Sequence, residues 1–104
     1  MATDASSDEH AIKRFWERFL DRARARGVKD SALRWYVRHA ETYLKAFPHK
    51  RLGEHAPEDV TGYLEQVGRL DRIADWQFVQ IVDAIQSLFI VARAPVAEVV
   101  DWGF

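Results

Sequence analysis

Between Leu33 and Phe47 the apolar residues return every three or four positions, and the pattern stops at Pro48. Leu33, Tyr36, Val37, Ala40, Tyr43, Leu44 and Phe47 fall on one stripe of a helix, while Arg34, Arg38 and Lys45 fall on another. A period near 3.6 puts one apolar face on a helix and cannot put one on a strand. A face this rich in aromatics has to be covered by other elements, so this stretch constrains the fold more than any other.

The same period recurs three more times, each time with its own punctuation. A first helix is predicted from Asp8 to Arg26, with Ser6 and Glu9 at capping-box spacing. Its stripe is Ile12, Phe15, Trp16, Phe19, Leu20 and Ala23, and Gly27 stands where a left-handed stop is needed. The second helix opens near Asp30 or Ser31, either of which is a good cap. Pro48 forces the residue before it out of helix, so Pro48 to Ala56 reads as a loop. A third helix begins at Pro57, carries acids in its first turn and buries Val60, Tyr63, Leu64 and Val67 before Gly68. A fourth runs from Asp75 to about Arg93, with Phe78, Ile81, Val82, Ile85, Leu88, Phe89 and Ala92 as its core face, and Ala94-Pro95 ends it. No alternating strand pattern and no internal repeat occur.

A chain of 104 residues can close one core without disulfide or metal. The expected fold class is therefore all-α, with four helices in one bundle. The expected organisation is a disordered, polar tail over 1–7, the bundle over 8–93, and a segment 94–104 that either opens a linker or docks on the bundle. That last segment, VAEVVDWGF at its end, is apolar and aromatic.

Several chemistries lack their residues. There is no cysteine, which removes thiolate catalysis and disulfides and fits a reducing compartment. His10, His39, His49 and His55 have no ligand spacing that suits a metal. His39, at the edge of the second stripe, reads as a boundary histidine with a hydrogen-bond partner. The five glycines are scattered and make no phosphate loop or nucleophile elbow. No apolar run is long enough to span a bilayer. The chain is expected to need no cofactor or metal and to have no catalytic activity of its own.

Charge is distributed unevenly along the chain. Residues 13–51 carry twelve Lys or Arg against four acids, whereas residues 52–104 carry three arginines against nine acids. A basic segment of this kind suits an anionic partner. Arg34 and Arg38 project together from the second helix, and Lys29 lies just before it. Lys50 and Arg51 sit in the following loop, Arg72 precedes the fourth helix, and Gln77 and Gln80 lie off that helix's core stripe. Arginine and lysine neutralise phosphate, and glutamine can pair with a base edge. The plainer reading is a set of solvated faces: Arg14, Arg18 and Arg22 balancing Glu17 and Asp21, Arg38 turned to Glu41 or Thr42, and both glutamines in water. Trp35 and Trp76 stand at helix starts partly off their stripes. Each suits core-edge packing, or else a wedge or docking aromatic.

The run Tyr36-Val37 through Tyr43-Leu44 to Phe47 with its basic loop, the segment Ala56-Pro57-Glu58-Asp59-Val60 with Tyr63-Leu64, and the set Gln80, Ala84, Ile85, Leu88 and Phe89 together resemble a known pattern. It is that of the N-terminal, SAM-like core-binding domain of tyrosine recombinases of the phage and integron integrase type. The likeness spans roughly residues 12–93 and is diffuse. It implies an orthogonal four-helix bundle that forms one jaw of a clamp on double-stranded DNA, with its second and fourth helices facing the duplex. It further implies a separate C-terminal catalytic domain, other protomers on the same DNA, and a cytoplasmic, bacterial or phage-encoded protein. Asp30 and Asp75 stand where many relatives carry Ser or Thr. The competing expectation is a helical protein-interaction module that docks a partner through Trp35, Trp76 and the Trp102–Phe104 tail.

Overall fold

The computed structural model describes the backbone of residues 2–70 and 72–103, and within them the side chains from Glu9 onward. All regular structure among these residues is helical. Helix α1 spans Ala2–Ala25, α2 Asp30–Ala46, α3 Pro57–Gly68, α4 Asp75–Val91 and α5 Val96–Val99, with one 3-10 turn at Leu52–Glu54.

Helix α4 is the centre. It packs on α1, α2, α3 and α5, and α1 and α2 also pack on each other. Its sequence explains the position: Ile81, Val82, Ala84, Ile85, Ser87, Leu88 and Phe89 are all buried, more than one stripe's worth. A helix apolar over most of its circumference belongs inside. The α2 stripe behaves as its period requires, with Leu33, Tyr36, Ala40 and Tyr43 buried and Val37, Leu44 and Phe47 half-buried against the core. Tyr43 is fully buried and meets the rings of Phe47, Tyr63 and Phe89 at centroid distances of 5.0, 4.9 and 5.6 Å. Each such pair contributes about 0.5–1.5 kcal/mol beyond area burial.

The helix ends follow local chemistry. Gly27 has φ +88, its N–H donates to the Arg24 carbonyl at 2.9 Å, and the Val28 N–H reaches Ala23 at 3.0 Å. That pair of bonds closes α1 with a left-handed residue. Arg93, with φ +56, closes α4 in the same way, through Arg93 N–H to Ile90 and Ala94 N–H to Phe89, both at 3.0 Å. Pro57 opens α3 as expected, and the Asp59 carboxylate accepts the Ala56 N–H at 2.9 Å.

Some expectations are corrected. Helix α1 begins at Ala2, ahead of the start expected at Asp8. Ser6 lies within α1, and its side chain falls outside the described residues. Lys29, not Asp30 or Ser31, occupies the cap of α2, and it caps without its side chain. Ile12 is 58% exposed, because residues 9–14 are exposed throughout while Phe19 and Ala23 are fully buried. Segment 94–103 packs on the bundle: Ala94, Val96 and Val100 are buried, and Trp102 Nε1–H donates to the Ala97 carbonyl at 3.0 Å. Phe104 lies outside the described residues.

Candidate functional site

Helices α2 and α4 meet at two side-chain hydrogen bonds. Tyr36 Oη donates to Asp83 Oδ2 at 2.8 Å, and His39 Nε2 lies 2.9 Å from Gln80 Oε1. Asp83 is also 2.7 Å from the Arg26 guanidinium through its other oxygen, so this carboxylate ties the turn after α1 to α2 and α4. Burial and the adjacent carboxylate push the Tyr36 phenol up to about 12, partly opposed by Arg26.

Beside the His39–Gln80 contact a notch of about 470 Å³ opens between the first turns of the two helices. Ser31, Ala32 and Trp35 line one wall, and Trp76 and Gln77 line the other. Trp35 is 41% exposed and Trp76 is 66% exposed. The spacings that place them are Trp35 with His39 and Trp76 with Gln80, four apart in each helix, so each indole stands one turn before the polar contact. On the outer side of Trp35, the guanidinium carbons of Arg34 and Arg38 lie 5.3 and 5.7 Å from the indole ring centroid. Both distances are within cation–π range. Among the described residues neither arginine has an acid within ion-pairing distance. Asp30, at the start of α2, is 3.7 Å from Arg24, which offsets its charge.

The residues singled out from sequence divide into three groups. Arg34 and Arg38 are together and exposed, and through Trp35 they adjoin the notch that Gln77 and Gln80 line. Both glutamines already have structural work: Gln77 Oε1 accepts the Ala74 N–H at 2.9 Å and caps α4, and Gln80 holds His39. Lys50 and Arg51 lie elsewhere, in the loop before α3. Lys50 Nζ is 2.7 Å from Asp59 Oδ2, and the Arg51 backbone N–H donates to Glu54. The Lys50 contact and the Ala56 N–H hold the Asp59 carboxyl below its usual range. Lys29 and Arg72 are exposed and do not line the notch. The boundary reading of His39 is met by Gln80. Arg22 is drawn to Ser87 at 3.1 Å and Asp21 to Arg24 at 3.4 Å, while Arg38 accepts a bond from the Thr42 hydroxyl only through its carbonyl.

Two polar contacts were not anticipated. One is the Arg26–Asp83–Tyr36 junction, whose members are far apart in sequence and carry no local pattern. The other is a 2.7 Å bond between Tyr43 Oη and His55 Nδ1 inside the aromatic cluster. Burial lowers the His55 pKa, and the Lys50 carbonyl and nearby carboxylates oppose this only in part.

Among the described residues no group of three His, Asp or Glu is placed to hold a metal ion, and no helix is long and apolar enough to cross a membrane. The arrangement offers cation, hydrogen-bond donor and flat aromatic surface on one face. No protein-family model, curated protein or solved structure matches the chain.

Proposed function

We propose that this chain binds double-stranded DNA through the exposed face of α2 and the first turns of α4. In this reading it serves as the core-binding, SAM-like four-helix domain of a site-specific tyrosine recombinase, with cleavage left to a separate catalytic domain. It works in the cytoplasm of a bacterium or phage host, alongside other protomers on the same site. The observation that carries it is the Arg34–Trp35–Arg38 group: two guanidiniums without acidic partners, held against one exposed indole. Cations fixed in this way lose little freedom when they meet phosphate, and they displace condensed counterions. Lys29, at the cap of α2, and Arg72, just before α4, are exposed cations near the starts of the two helices, and Gln77 and Gln80 line the notch.

The test is fluorescence anisotropy with labelled duplex DNA across a salt series. Affinity is expected to fall by about 0.9 log unit per log unit of salt for each phosphate neutralised. Arg34→Ala/Arg38→Ala is expected to reduce that slope by up to about 2 and to weaken binding on all sequences alike. An unchanged slope and affinity in the double variant would remove the assignment.

A second reading has its own observation. Ala11, Ile12, Phe15, Trp16, Leu44 and Leu52 line an open, almost wholly apolar groove of about 430 Å³. Exposed apolar surface of this kind suits a protein partner. Loss of partner-free solubility on deleting nothing but Ile12's side chain would count against it; improved solubility of Ile12→Ser would favour it.

A further inference from the structure

The notch beside Trp35 contains more than phosphate neutralisation requires. Two indoles line it, Trp35 from α2 and Trp76 from α4, 41% and 66% exposed, and they make no ring contact with each other. Holding large aromatic surfaces in water is unfavourable, and each indole has a flat face that a planar ligand can cover. The vertex between them is polar. The Gln80 carbonyl oxygen is engaged with His39, and among the described residues its amide N–H groups have no partner. They are left to donate to a carbonyl oxygen on a ring. The rim on the α2 side carries Arg34 and Arg38. That charge disfavours an ammonium ligand and favours an anion joined to the ring.

A flat ring bearing carbonyl or ring-nitrogen acceptors, attached to a phosphate, describes a nucleotide. We infer that the notch seats the base of one unpaired nucleotide between Trp35 and Trp76, near Gln80, while its phosphate rests on Arg34 and Arg38. A base within a duplex has both faces stacked, so the ligand is either a free nucleotide or an unpaired unit of a strand. The inference rests on the nucleic-acid reading above only for the class of partner. It adds a contact that paired DNA cannot make.

The test uses the full chain and its intrinsic tryptophan fluorescence. The probes are thymidine 5′-monophosphate, thymidine, a short oligothymidylate and a fully paired duplex. Saturable quenching by the monophosphate or the oligothymidylate is expected. Trp76→Ala should weaken it on the order of tenfold or more, the scale of base–aromatic stacking. Arg34→Ala/Arg38→Ala should weaken the monophosphate but not thymidine. Trp76 is exposed, so its replacement leaves the core intact, and an unchanged urea midpoint in Trp76→Ala is the control for folding. Equal affinity per nucleotide for monophosphate and oligothymidylate assigns the free nucleotide; preference for the oligomer assigns the strand. Absence of quenching by both probes, or quenching that persists undiminished in Trp76→Ala, overturns the inference. If the duplex still binds in that case, the duplex reading survives alone. If the oligomer binds and the duplex does not, the duplex reading falls and the notch stands.

Discussion

Residues with positive φ stand at the ends of α1 and α4, and they differ in what occupies the position. Gly27 has open space around a would-be Cβ, so a side chain there would meet no atom and would suffer only from its own backbone. For an L residue the left-handed region costs roughly 1–2 kcal/mol. Gly27→Ala is therefore expected to destabilise the fold by about 1 kcal/mol, read as a lower urea midpoint with an unchanged denaturant slope. Arg93 pays that conformational cost already, at φ +56. Arg93→Gly should relieve it, less about 0.5–1 kcal/mol for the greater freedom of glycine in the unfolded chain. The expected net effect is a small rise in the same midpoint, and a fall would mean that the Arg93 side chain contributes more than its backbone costs. Sequence pattern announced Gly27 as a stop, since glycine is the usual residue there. It could not announce Arg93, because an arginine in the left-handed region has no compositional sign.

At the scale of elements, the turn that ends α1 is joined to α2 and α4 by one carboxylate. Asp83 accepts from Tyr36 and pairs with Arg26, at 2.8 and 2.7 Å. Tyr36→Phe removes one bond and leaves a carboxylate oxygen short of a partner, at an expected cost of about 1–2 kcal/mol. Asp83→Ala strands the buried Tyr36 hydroxyl and is expected to cost about 2–3 kcal/mol. The double variant should cost little more than Asp83→Ala alone, because the hydroxyl goes with its partner. Additive losses in urea unfolding would show that the two groups are not coupled. The helices themselves were legible from periodicity, since Leu33, Tyr36, Ala40 and Tyr43 are buried as their spacing requires. The period says which face is apolar but not where the covering neighbour ends, which is why Ile12 lies on the right stripe and is still exposed. The candidate site was legible in pieces. Arg34 and Arg38 share a face by spacing alone, and Trp35 and Trp76 stood off their stripes. Lys50 was not separable from them, because its partner Asp59 is set by how the loop returns to α3. Gln77 sits three residues after the Ala74 cap, a spacing that marks a helix-start acceptor as readily as a base reader.

At the scale of the whole molecule, the groups whose protonation differs between folded and unfolded chain set the pH range of stability. His55 is buried among Tyr43, Phe47 and Phe89, and burial lowers its pKa. The unfolded chain then binds a proton at His55 before the folded chain does, so stability is full above about 6.5 and falls as the pH drops below it. The groups facing the imidazole are Tyr43, Lys50, Glu54 and Asp59. Asp59 adds a second acid limb: its pKa is also lowered, so its contribution is present above about 4 and is lost as the pH falls further. On the alkaline side, burial and Asp83 push Tyr36 up to about 12, and burial raises Tyr43 and Tyr63 as well. The unfolded tyrosines ionise first, so stability is also lost as the pH climbs past about 10. The expected profile is a plateau between about 6.5 and 10, with each titrating proton bending it by up to about 1.4 kcal/mol per pH unit. Urea unfolding at a series of pH values measures it directly. Tyr43→Phe/His55→Phe replaces the buried bonded pair by two apolar rings, so neither partner is stranded. On the acid side this variant should keep the plateau below pH 6.5 and lose stability only on the Asp59 limb. If its midpoint falls between pH 6.5 and 5 as steeply as that of the parent chain, the acid sensitivity belongs to another group, and the buried Tyr43–His55 pair has no part in it.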